Sequence, residues 1–160
     1  MAEQLFSRLE GLGDEEYLWE PGPNCWSVRK LDNGDVAVER AESREITPAP
    51  LTTIAWRLWH LAVDCFEDYT RRLNGDGRDV EPDTGWHMEA DAGVAHLQQS
   101  WAGYRATIAA RDDWWDELGE AWGPWNQHSV TDMALHAGNE LVHHGAEIAL
   151  LRDLYVSKPS

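Results

Sequence analysis

The segment NELVHHGAEIALLRDLY, residues 139–155, carries two histidines and two glutamates at helical spacing, and His136 extends the run one turn upstream. At about 100° per residue, His136, Glu140, His143, His144 and Glu147 fall within one narrow arc of a helix. Imidazole nitrogens and carboxylate oxygens are ligands for divalent transition metals. Glu140 and His144 stand one turn apart, the spacing at which two helical side chains share one ion, as the two histidines of an HExxH motif do. Leu150, Leu151 and Leu154 continue the same arc, which points the stripe inward. A buried cluster of ionisable groups costs several kcal/mol unless its members are paired or hold a metal, so an inward stripe calls for a cation. The competing reading is a solvated helix face dressed with i,i+4 His/Glu pairs.

A metal needs a third ligand. His60, in RLWHLAVD, is bordered by Trp56, Trp59 and Val63 and so sits near an apolar surface. It reads either as that ligand or as a hydrogen-bonded core histidine. Three protein ligands leave a tetrahedral zinc one open position, the arrangement of a catalytic site. His143 and His136 are the candidate acid/base residues, with a structural role as the alternative for each. Asp64, one turn after His60, either orients a ligand or is a solvated carboxylate. Arg152 either receives a substrate carboxylate or complements a helix C-terminus. Cys65 lies away from His60 on an α-helical wheel and reads as a small core residue.

These residues need helices to hold them. Residues 2–12 are amphipathic and end at the turn-rich Gly11, Gly13 and PGPN. WSVRKLDNGDVAVER, residues 26–40, alternates around Asn33-Gly34 and predicts a short hairpin with a type I′ turn. After TPAP at 47–50, LTTIAWRLWHLAVDCFEDYTRRL predicts a long second helix ending near Asn74-Gly75. GDGRDVEPDTG reads as a loop, and DAGVAHLQQSWAGYRATIAARDDWWDELG resumes helical spacing as a third helix. Ser129 followed by Asp132 resembles a capping box, placing the start of a fourth helix that ends near Tyr155. The expected fold is all-α, a four-helix bundle with a hairpin excursion between its first and second helices.

Composition narrows the partners. The chain has 160 residues at 42% hydrophobic, enough for one domain over 1–160 to bury its own core. Its 29 acidic against 13 basic residues give a formal charge of −16, which repels phosphate backbones and anionic lipid, so neither nucleic acid nor membrane is an expected partner. Cys25 and Cys65 form no CxxC, and the N-terminal segment has neither the basic nor the apolar region of a secretion signal. Both features fit a reducing, cytoplasmic setting.

His60 in a Trp-rich second helix, together with NELVHHGAEIALLRDLY, resembles the DinB-like superfamily of metal-binding four-helix bundles. That superfamily includes the metal-binding domain of mycothiol-dependent maleylpyruvate isomerase and the bacillithiol-type thiol transferases. LWEPGPNCWSV is similar to the loop that follows the first helix in the family, and the resemblance runs from about Leu5 to Tyr155. It implies a divalent metal, zinc before nickel or ferrous iron, held by His60, Glu140 and His144. It also implies a small-molecule electrophile and a low-molecular-weight thiol as reactants, and is compatible with a homodimer. Many members carry His at the position of Glu140; the His, Glu, His set is similar to the mycothiol-dependent branch. The hairpin and TPAP put more chain between Trp26 and His60 than the shorter members have. The functions that follow are thiol transfer or isomerisation, metal-dependent hydrolysis, or metal binding without turnover.

Overall fold

In a computed structural model the chain is described over residues 2–40, 48–78 and 85–159. Among the described residues four helical rods and one hairpin dominate the regular structure, as the sequence pattern predicts. The first rod is α1 (Ala2–Leu9), followed by the single turn α2 (Asp14–Tyr17). α1 stops three residues earlier than the amphipathic pattern suggests, because Gly11 adopts φ +71° and turns the chain out of the helix. Strands β1 (Val28–Lys30) and β2 (Val36–Val38) pair antiparallel, with Arg29 opposite Ala37.

The turn between them differs from the expected type I′. Gly34 takes φ +92° and donates its N–H to Leu31, while Asn33 stays at negative φ. The Asn33 side chain accepts from the Asp35 N–H at 3.0 Å, and Leu31 donates to the Asp35 carbonyl. This is a three-residue loop with a glycine bulge, in which only one position needs positive φ.

The second rod runs unbroken through three segments: α3 (Ile54–Trp59), a π-helical stretch (His60–Glu67) and α4 (Asp68–Leu73). Thr53 is its N-cap, accepting from the Trp56 N–H at 3.2 Å. The rod therefore starts at Ile54, four residues beyond Pro50 and clear of both prolines that precede it. Part of the loop expected after Gly75 lies outside the described residues.

α5 (Ala90–Ala109) ends well before Gly119, where helical spacing had been read onward. Past Ala110 the polar side chains take over: Arg111 pairs with Asp113 and donates to the Leu73 carbonyl at 2.9 Å. Residues beyond it form an isolated bridge, Glu117 to Ser129, and a 3₁₀ turn (Glu120–Trp125). α6 (Val130–Ser157) closes the bundle.

The core lies between the rods. Phe66 of the π stretch packs on Trp101 and Tyr104 of α5, with ring centroids 4.9 and 5.4 Å apart. Leu58, Trp59, Leu61, Leu97, Leu141 and Ile148 are buried around them. Arg152, weighed above as a substrate anchor, instead grips Glu16 through two hydrogen bonds at 2.8 and 3.1 Å and ties α6 to the first rod. Among the described residues no helix is long and apolar enough to cross a membrane.

Candidate metal centre

α6 is set in register by its first residue. The Ser129 hydroxyl accepts from the Asp132 N–H at 3.1 Å, and the Asp132 carboxylate accepts from the Ser129 N–H at 2.9 Å, completing the capping box. From there the buried line runs Met133, Ala137, Leu141, His144, Ile148, a stripe of i,i+3 and i,i+4 steps. His144 is the one histidine on it. The five-residue polar arc therefore straddles the edge of the core rather than facing it squarely. Leu150 and Leu154, whose position on the arc argued for burial, are exposed. The side chains of His136 and His143 are 57% and 58% exposed, against 15% for Glu140 and 8% for His144.

The inner edge of the arc meets the second rod. Glu140 Oε2 lies 3.0 Å from His144 Nε2 and 3.5 Å from His60 Nε2. The two imidazoles stand edge to face with centroids 4.8 Å apart. Zinc bonds of about 2.0–2.2 Å to nitrogen and oxygen, opened to tetrahedral angles, put such donors about 3.4 Å apart. The observed spacings bracket that figure.

The far sides of both rings are engaged. His144 Nδ1 is 2.6 Å from Glu147 Oε2, and His60 Nδ1 is 3.2 Å from Asp64 Oδ2. A carboxylate only accepts, so each Nδ1 carries a proton; each Nε2 faces Glu140, donating to it in the metal-free protein and presenting a lone pair there once a cation replaces that proton. Arg57 Nη1 sits 3.1 Å from both His144 Nδ1 and Glu147 Oε2. With Nδ1 already donating, the Arg57 hydrogen bond belongs to Glu147.

Electrostatics agree with that geometry. Two imidazole lone pairs and a carboxylate facing one another repel unless a proton or a cation lies between them. Burial opposes charge on His60, yet Asp64, Cys65 and Glu140 together push its pKa up to about 11. Glu140 is held well below the usual carboxylate range by its hydrogen bonds to His144 and then His60, against the effect of burial. Glu147 is lowered too; burial works against it, and His144 and Arg57 outweigh burial. The pocket is built for positive charge, and its donor set suits a divalent ion.

His60, Glu140 and His144 are thus brought together, while His136 and His143 stand outside them. His136 Nε2 is 3.8 Å from Glu140 Oε1, the oxygen turned away from the two inner rings. His143 stacks on His144 and reaches Glu147 Oε1 at 3.3 Å. The His143, His144 and Glu147 side chains also cluster closely enough to share an ion. That grouping would strip Nδ1 of His144 from its orienting carboxylate and leave the ion at an exposed histidine, so it competes with the inner set and is the weaker of the two.

Three further neighbours shape the site around His60. Arg57 lies three residues before His60, on the same helix face, and that spacing was a readable signal. Trp56 stacks on His60 at 5.1 Å and 12°, and Trp26 packs on Trp56 at 5.9 Å. The hairpin brings Trp26 back because Trp26 and Thr52 form a bridge, with Trp26 donating to Leu51 at 2.8 Å. The long insertion therefore leaves the first loop one ring away from His60. Cys65 is buried in the core, as expected, and in addition lies at the site, its Sγ 3.8 Å from His60 Nε2.

A family model described as the DinB superfamily matches residues 1–148. The chain belongs to the DinB superfamily. No curated protein and no solved structure matches it. The superfamily is generally metal-binding, and in this DinB member two groups of side chains close enough to hold an ion, His60 with Cys65 and Glu140 and His143 with His144 and Glu147, lie within the matched span.

Proposed function

We propose that this DinB protein is a divalent-metal-dependent enzyme in which His60, Glu140 and His144 hold one ion, zinc by preference. The reaction type is thiol-dependent S-transfer or isomerisation with a low-molecular-weight thiol as cosubstrate. One observation carries the metal reading: two imidazoles, each fixed at Nδ1 by its own carboxylate, aim Nε2 at a shared glutamate oxygen. Such an ion stabilises thiolate over thiol and so yields a nucleophile at neutral pH.

The chain's own residues supply the rest. Glu147 and Asp64 keep the rings in one tautomer, and Arg57 holds Glu147 in place. Of the two outer histidines, His136 is the better candidate for moving a proton, since it stands beside the outer oxygen of Glu140 and near the ring of Tyr69, 6.0 Å away. His143 is engaged with Glu147 on the opposite side. The acidic surface excludes polyanions as substrates and leaves small electrophiles as the class.

The test is a screen of small electrophiles against zinc-loaded protein, with and without mycothiol, bacillithiol, glutathione and cysteine. Turnover that requires both metal and a thiol supports the reading. Turnover with metal alone would indicate a hydrolase. A metal-loaded protein inert toward every combination would make it a metal-binding protein without turnover, a reading that the presence of a fourth donor near the site also favours.

A further inference from the structure

We infer that Cys65 is a fourth ligand to the ion, delivered by the π-helical segment that begins at His60. The inference rests on the metal site proposed above and concerns the position that site leaves open.

The π stretch is the first observation. It spans His60–Glu67, eight residues in a conformation that is rare and mostly confined to single turns at functional sites. In an α-helix the residue five positions on from His60 would point about 140° away. The wider i→i+5 winding brings that residue back beneath its partner. Cys65 is the residue so returned, and its thiol, while part of the core, comes within 3.8 Å of His60 Nε2.

The second observation is distance. The ligand atoms of His60, Cys65 and Glu140 all lie within 4.8 Å of one another. Bonds of about 2.3 Å to sulfur and about 2.0–2.1 Å to nitrogen at a tetrahedral angle put the two atoms about 3.6 Å apart. Cys65 Sγ lies 3.8 Å from His60 Nε2. An ion held between His60 and Glu140 is therefore within reach of the sulfur.

The third is environment. Cys65 is buried, with 1% of its surface exposed, and its thiol is unpaired with any other cysteine. Tyr69, one turn further along the same rod, is a close electrostatic neighbour. A polar lining of His60, Glu140 and Tyr69 is not what a thiol serving only as apolar filler would have around it. With Cys65 bound, the coordination set is His, Cys, Glu, His, and an external thiol reaches the ion only by replacing the chain's own sulfur.

Cobalt substitution tests this without reference to activity. Metal-free protein carrying Cys25→Ser, titrated with cobalt and no added thiol, should develop an intense sulfur-to-cobalt charge-transfer band that saturates at one ion per chain. Adding Cys65→Ser should abolish the band while cobalt still binds, and zinc affinity should fall by more than about tenfold. Zinc X-ray absorption on the Cys25→Ser protein should show one sulfur at about 2.3 Å, a readout that needs no change at residue 65. Cobalt bound without the band, and zinc without the sulfur, would overturn the inference and leave the three-ligand site standing. Failure to bind any cobalt would overturn both.

Discussion

Glu147 accepts the Nδ1 proton of His144 at 2.6 Å, and it does so from one turn further along the same helix. The carboxylate fixes both the ring's angle and its tautomer, leaving Nε2 the only nitrogen free to bind an ion. Asp64 repeats the arrangement on His60 from within the second rod.

Removing either carboxylate should therefore loosen the metal without deleting a ligand. Glu147→Gln and Asp64→Asn are each expected to weaken zinc affinity about 10–100-fold, measured by competition with a chromophoric chelator. Affinities unchanged in both variants would mean the rings are oriented by something else.

The two adjacent histidines should behave differently. His144→Ala removes a buried side chain aimed at Glu140, whereas His143→Ala trims one that is mostly exposed. Metal retention after dialysis should collapse in the first and stay near wild type in the second. Equal losses would favour the outer cluster of His143, His144 and Glu147.

The register of α6 depends on its cap. Ser129→Ala should cost about 1 kcal/mol, because it deletes the side-chain half of the capping box. For a chain of this size that corresponds to a fall of about 2–4 °C in Tm, read by calorimetry on the metal-free protein. A neutral substitution would show that packing alone holds the helix start.

Away from the metal centre, His87 Nε2 and His96 Nδ1 share a hydrogen bond at 2.9 Å, and His96 Nε2 bonds to Glu67 Oε1 at 2.7 Å. Burial lowers the pKa of His87 first, the neighbouring His96 lowers it further, and Glu89 works in the other direction. The unfolded chain thus takes up a proton at higher pH than the folded one, and stability is lost as pH falls below about 6.5. Denaturation midpoints at pH 7.5 and 5.5 should differ more for wild type than for His87→Gln. Identical differences would remove His87 from the balance.

Much of this was legible in the sequence because it follows from periodicity. The Ser129–Asp132 cap, the spacing of Glu140 and His144, and the apolar setting of His60 are local patterns, and the structure brings these elements into contact. What stayed hidden depends on the chain's departures from ideal geometry. An α-helical wheel puts Cys65 on the wrong face, since nothing in HLAVDCFE announces a π stretch. The Leu150 and Leu154 positions misled because a long terminal helix can expose apolar residues at little cost once its inner line is buried. The return of Trp26 to His60 depends on the bridge to Thr52, a contact between segments that no local pattern encodes.

The account's central claim is that His60, Glu140 and His144 hold one divalent ion. Elemental analysis of protein stripped with chelator, reloaded with zinc and dialysed tests it most directly. The account predicts one zinc per chain, restored fully on reloading, and loss of that zinc in the His60→Ala protein. A substoichiometric content that reloading cannot raise, or an equal content in His60→Ala, would contradict it.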